Sequence, residues 1–202
     1  MVDSMAVTPI SIAADKTNGA EERFLLPGEY SWDAFLQLKS LVATDKNFRM
    51  TFLDGQIELM TTSETHEYIK SMLGMLIEAY LIALEIEFMP VGQATRADEN
   101  KRASFEPDES YYLGDRKEHP DLAIEVVLTS GNIQKLEKYK RFGIREVWFW
   151  ENDAIQIFGL ADNSYEVLTA SQLLPKFDIN LLIRCVQMDS RIEAMKLWRQ
   201  GF

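Results

Sequence analysis

The chain has 202 residues, 47% hydrophobic and 26% charged, which suits one domain of ordinary size with a sizeable core and excludes wholesale disorder. No apolar run approaches the ~20 residues that a membrane helix needs, and Asp3 near the start excludes the basic-then-apolar pattern of a secretory signal. A single cysteine, Cys185, excludes an intramolecular disulfide and suits a reducing cytoplasm, while 32 acidic against 21 basic side chains give a net charge of −11 that repels nucleic acid on average.

Residues 1–22 are small and polar with no sustained period, and are expected to form a flexible leader to one domain over residues 23–202. Ser31 caps a short amphipathic helix that carries Trp32, Phe35 and Leu36 near one face. Phe48 to Met60 reads as a β-hairpin with its turn at Asp54-Gly55. Met50 and Phe52 alternate there with Arg49, Thr51 and Leu53, and Ile57 and Leu59 alternate with Gln56, Glu58 and Met60. That pattern predicts one packed face and a place at a sheet edge. Residues 65–85 carry the clearest helical period, from Ile69 and Met72 to Leu81 and Leu84. Thr62 or Ser63 supplies its cap, and His66 falls in its first turn.

Ile86 to Met89, Phe105 to Leu113 and Leu122 to Leu128 follow as strands. The last is nearly all apolar, which marks a central strand buried on both faces. Residues 92–104 are the least regular and are expected to hold a strand pair with a loop. A helix over residues 132–142 stops at Gly143, and Glu146 to Trp150 is another buried strand. Asn152-Asp153 turns the chain into Ala154 to Phe158, Tyr165 to Leu168 makes an edge strand, and helices over 178–186 and 190–199 close the chain. Ser190 with Glu193 forms a capping box for the last helix. The order implies a mixed α+β (α/β) domain: a central mixed sheet flanked by helices, preceded by a helix and a hairpin.

Glu125 is out of place in the apolar strand, because a carboxylate is costly to bury unpaired. It shares a strand face with Asp121, Ala123 and Val127. Lys135 is its natural counter-charge, since it falls on the helix face of Tyr139 and Phe142. Lys138 and Arg141 fall beside that face, and Lys140 and Arg145 toward solvent. The same geometry serves as an ion pair or as a site. Asp108, after Pro107, reaches Glu125 if their strands are neighbours. Two converging carboxylates suit Mg²⁺ or Mn²⁺, which would polarise a phosphodiester and acidify an attacking water, with Lys135 stabilising developing charge. Residues 131–145 hold five basic side chains against one acid, Glu137, so a locally positive surface lies beside this cluster. Trp148, Phe149 and Trp150 alternate between faces and read as core, as does Cys185, and His119 in a charged loop reads as exposed. The sequence has no Gly-rich phosphate loop and no Gly-x-Ser-x-Gly, which disfavours nucleotide hydrolysis and serine acyl transfer.

Four segments resemble the Uma2-type restriction endonuclease family: Pro107-Asp108, then Pro120 to Val127 (PDLAIEVV), then Lys135 to Tyr139 (KLEKY), then Phe142 to Trp150 (FGIREVWFW). Leu53 to Met60 and Ser63 to His66 fit as well, so the resemblance spans roughly residues 30–188. It implies the fold of the PD-(D/E)xK nucleases. In that superfamily the lysine stands two residues after the strand carboxylate. Here that position is Val127, and the resemblance moves the lysine to Lys135 on the next helix. It implies Asp108, Glu125 and Lys135 as catalytic residues, with Asp108 and Glu125 holding Mg²⁺ or Mn²⁺. His66 is either a helix cap or a helper near the metal, and Glu67 and Asp121 are further candidates. The implied activity is metal-dependent hydrolysis of DNA by a cytoplasmic endonuclease, with a homodimer suited to cutting both strands. The alternative is a catalytically inactive nuclease-fold binding or regulatory module, with the carboxylates kept as a salt-bridge network.

Overall fold

The computed structural model describes residues 22–42, 48–128 and 132–202, with the backbone alone for 132–134. The leader expected over residues 1–22 lies outside the described residues apart from Glu22, and so do residues 129–131. Strands β1 (Arg23–Leu25), β2 (Phe48–Leu53), β3 (Gln56–Thr61), β5 (Arg96–Asp98) and β6 (Ala103–Phe105) form one sheet in the order β1-β3-β2-β6-β5. Strands β4 (Phe88–Pro90), β7 (Glu109–Leu113), β8 (Leu122–Val127), β9 (Glu146–Glu151), β10 (Ala154–Ala161) and β11 (Ser164–Leu168) form a second, in the order β11-β10-β9-β8-β7-β4. The helices are α1 (Trp32–Val42), α2 (Glu64–Ala83), α3 (Asn132–Arg141), α4 (Ile179–Val186) and α5 (Arg191–Trp198). The mixed α+β architecture is as expected, with the strands divided between two sheets.

Asp54 and Gly55 both take positive φ, 50° and 91°, as a two-residue hairpin turn requires. Their hairpin is not at a sheet edge. β1 pairs with the outer side of β3, and β6 with the outer side of β2. β1 is too short to leave a pattern in the sequence. The hairpin also buries both faces of β2: Met50 and Phe52 pack with Phe35 of α1, while Arg49 and Thr51 are buried on the opposite side.

The strand expected over residues 105–113 is broken in two. β6 ends at Phe105 in the first sheet and β7 begins at Glu109 in the second, so the chain crosses between sheets at Glu106-Pro107-Asp108. Pro107 has no N–H to offer a ladder, which fits the break.

β8 is buried along its whole length and pairs antiparallel with β7 and parallel with β9, with α3 as the crossover. Leu122, Ile124 and Val126 face the larger core, which contains Met72, Leu76 and Tyr80 of α2, Leu182 of α4 and Trp198 of α5. Ala123 and Val127 face the other way, onto a cluster with Tyr139 and Phe142 of α3, Phe149 of β9 and Phe105 of β6. Trp148, Trp150 and Cys185 lie in the larger core and Phe149 in the opposite cluster. At the start of α2 the Ser63 hydroxyl accepts the His66 N–H at 3.1 Å, and Glu64 and Glu67 sit at the positive end of the helix dipole. Among the described residues no helix is long and apolar enough to cross a membrane.

Candidate functional site

The crossing between the sheets creates the site. Asp108 ends that crossing and is 1% exposed. The β7–β8 ladder begins at Glu109 paired with Ile124, and the Val126 N–H beyond it donates to Asp108 Oδ2 at 2.7 Å. The carboxylate thus continues a ladder that Pro107 cannot. The Arg49 guanidinium, from β2 of the other sheet, donates to Asp108 Oδ1. His66 of α2 places Nε2 3.2 Å from Asp108 Oδ2. Burial alone would raise the Asp108 pKa, but the hydrogen bond with His66 and the charges of Arg49, His66 and Lys135 hold it well below the usual carboxylate range.

Glu125 lies next to Val126 on β8 and points to the opposite face, toward α3. Lys135 Nζ donates to Glu125 Oε2 at 2.8 Å, and the Tyr139 hydroxyl donates to Oε1. Burial would lower the Lys135 pKa, but Glu125 and Asp108 together raise it. Burial and the Glu125 charge push the Tyr139 phenol well above its ordinary value, so it stays a neutral donor. The fold brings Asp108 and His66 close enough to Glu125 and Lys135 for the charges to interact, Lys135 with Asp108 and Arg49 with both carboxylates, which makes one electrostatic network. Glu67 borders it with a half-exposed side chain 3.3 Å from Arg49 Nη2. Asp121 does not join. At the other end of β8 it accepts the Leu113 N–H at 2.9 Å and pairs with Lys117 at 2.6 Å. His119 is half-buried, edge-on to Phe142 with ring centres 5.0 Å apart.

Two further cations belong to the network, and neither was expected there. Arg49 has just been described. Lys138, placed beside the helix face by its spacing, is 6% exposed and donates to Thr51 Oγ1 at 2.5 Å, with Glu58 Oε2 3.6 Å away. Burial pushes its pKa down to about 8, against the pull of Glu58 and with Lys135 adding repulsion. Lys135 and Lys138 line a cavity of about 420 Å³ together with Arg23 and Glu58. A signal for these cations was present in the sequence. Arg49 and Thr51 interrupt an apolar strand, and two buried carboxylates need more than the single charge of Lys135.

The expectation of a Mg²⁺- or Mn²⁺-dependent endonuclease centre on Asp108 and Glu125 is overturned. Among the described residues no group of three or more His, Cys, Asp or Glu side chains could hold a metal ion. The physical reason is saturation. Asp108 is taken by Arg49, His66 and a backbone N–H, and Glu125 by Lys135 and Tyr139. The oxygens that would hold an ion already accept from the protein, so the hydrolase reading and its cofactor go with it.

The positive surface expected over residues 131–145 is likewise neutralised by the chain itself. Besides Lys135 and Lys138, Lys140 pairs with Glu137, Arg141 with Asp54 and Glu137, and Arg145 with Asp121.

No curated protein matches the chain. The Uma2 family, described as "Putative restriction endonuclease", matches residues 32–187. That span takes in α1, both sheets apart from β1, and every residue of the network. The chain belongs to the Uma2 family.

Proposed function

We propose that the protein acts as a catalytically inactive nuclease-fold module that works by binding, not by cutting. One observation carries the reading: both carboxylates that would hold a metal are filled by donors of the chain. In this reading Asp108, Glu125, Lys135 and His66 lock the two sheets and α3 together instead of performing chemistry. The family description names a class of enzymes that act on DNA, so nucleic acid is the ligand class to test first. A net charge of −11 and the internal pairing of the α3 cations favour a weak complex whose affinity falls steeply with salt. The module is read as cytoplasmic, in keeping with its single, buried, free thiol.

The test is calorimetric titration of the purified protein with Mg²⁺ and Mn²⁺, with and without a short duplex, alongside a cleavage assay and fluorescence anisotropy on labelled DNA. The expected result is no heat from either ion, no cleavage, and salt-sensitive DNA binding. Saturable heat from an ion, or ion-dependent cleavage, would overturn the reading. Absence of DNA binding at low salt would leave the inactive fold standing and turn the search for a ligand to proteins.

A further inference from the structure

We propose that Lys138 is a nucleophilic amine that captures a small aldehyde or ketone as a Schiff base in the cavity it lines with Arg23, Glu58 and Lys135. The inference goes beyond the reading of the protein as a binding module, and it does not depend on whether that module binds nucleic acid.

The geometry singles out Lys138 among the charges of this cavity. Arg23 pairs with Glu58, Lys135 with Glu125 at 2.8 Å, Asp54 with Arg141, and Glu137 with Lys140 at 2.6 Å. Among the described residues Lys138 has only a share of Glu58, whose Oε2 lies 3.6 Å from Nζ and whose Oε1 is held by Arg23. A lysine that is desolvated, or set beside another cation, gives up its proton readily and becomes a nucleophile. Lys138 meets both conditions, since it is 6% exposed and stands one helical turn from Lys135. Glu58 and Glu125 pull the other way, Arg23 adds repulsion, and the balance leaves a pKa of about 8. Leu25 and Leu53 supply apolar wall for the carbon chain of the carbonyl compound.

The neutral Nζ attacks the carbonyl carbon, and the C–N bond forms as the carbonyl π pair moves to oxygen. A proton passes from nitrogen to that oxygen, which gives the carbinolamine. The nitrogen lone pair then expels the hydroxyl, which takes a second proton and leaves as water, and the iminium returns that proton when it loses its N–H. The net reaction is amine plus carbonyl to imine plus water, with no oxidant or reductant. A path for these protons is in place: Nζ donates to Thr51 Oγ1 at 2.5 Å, and Thr51 Oγ1 donates to Glu58 Oε2 at 3.4 Å.

The experiment treats the full chain with acetaldehyde and sodium cyanoborohydride, which fixes the imine as a stable secondary amine, and follows each lysine by peptide mass mapping from about pH 6 to about pH 9. At pH 7 an amine with a pKa of about 8 is about 10% neutral, against less than about 0.1% for an unperturbed lysine. Lys138 should therefore be alkylated about tenfold or more faster than the exposed Lys176 and Lys196, at a rate that climbs to a plateau above about pH 8. The intact mass of the Lys138→Met protein should lack the fast phase, and in guanidinium chloride Lys138 should lose its lead. Alkylation of Lys138 no faster than that of Lys176 and Lys196 would overturn the proposal. So would a fast phase that persists in Lys138→Met, or a lead of Lys138 that survives unfolding, since the cavity would then play no part.

Discussion

Lys135 Nζ and Glu125 Oε2 stand 2.8 Å apart, both buried, and tie α3 to β8 inside the unit that crosses from β8 to its parallel neighbour β9. Removing one partner strands the other charge in the core. Glu125→Gln and Lys135→Met should each lose about 3–5 kcal/mol of stability. The double variant should lose less than their sum, because the second change removes the stranded charge. Urea denaturation of the four proteins checks this. Single variants within about 1 kcal/mol of wild type would mean that the pair does not hold the fold.

Tyr139 has a narrower role. Its hydroxyl supplies the second donor to Glu125, and its ring packs on Phe105 with centres 4.6 Å apart. Tyr139→Phe keeps the ring and deletes the donor, which should cost about 1.5–3 kcal/mol for a hydrogen bond to a charged acceptor. The denaturation midpoint should fall with an unchanged denaturant dependence.

Lys138 should make stability rise with alkaline pH. Its folded pKa of about 8 lies below the unfolded value, so the unfolded state binds more protons across the window between them. Stability therefore increases from about pH 8 toward about pH 10, before deprotonation of Lys135 and Tyr139, both favoured protonated by the fold, reverses the trend. Lys138→Met should flatten this rise and, by removing a poorly compensated buried ammonium, stabilise the protein at pH 7 by about 1 kcal/mol. Midpoints measured from pH 7 to pH 10 decide it, and a destabilised Lys138→Met protein at every pH would refute it.

Asp108 acts at the opposite end of the scale. Its folded pKa is depressed, so its contribution is complete above the unfolded carboxylate range and is lost as pH falls toward the folded value. Acid unfolding below about pH 4 should be shallower in Asp108→Asn than in wild type, on top of a lower stability at pH 7. A parallel pair of acid-unfolding curves would count against the depressed pKa.

Much of this fold is legible locally. The apolar run of β8, the three-and-four period of α2 and the Asp54-Gly55 turn each announce an element through backbone geometry and near neighbours. The pairing of Glu125 with Lys135 is legible for the same reason. A strand carboxylate and a lysine in the following helix are ten residues apart, and the helix face that carries Tyr139 and Phe142 has to meet the sheet.

The environment of Asp108 is not legible in this way. Arg49 stands 59 residues from Asp108 in the chain, and Thr51 stands 87 from Lys138. They meet because the chain changes sheets at Pro107 and because β6 covers the side of β2 that its alternation marks as an edge. Residue types and local periods determined which elements form and that a buried carboxylate needs a cation. Which cations fill the site was decided by the packing of one sheet against α3 and the other. A strand pattern records only which way a side chain points, and not what a distant strand sets against it.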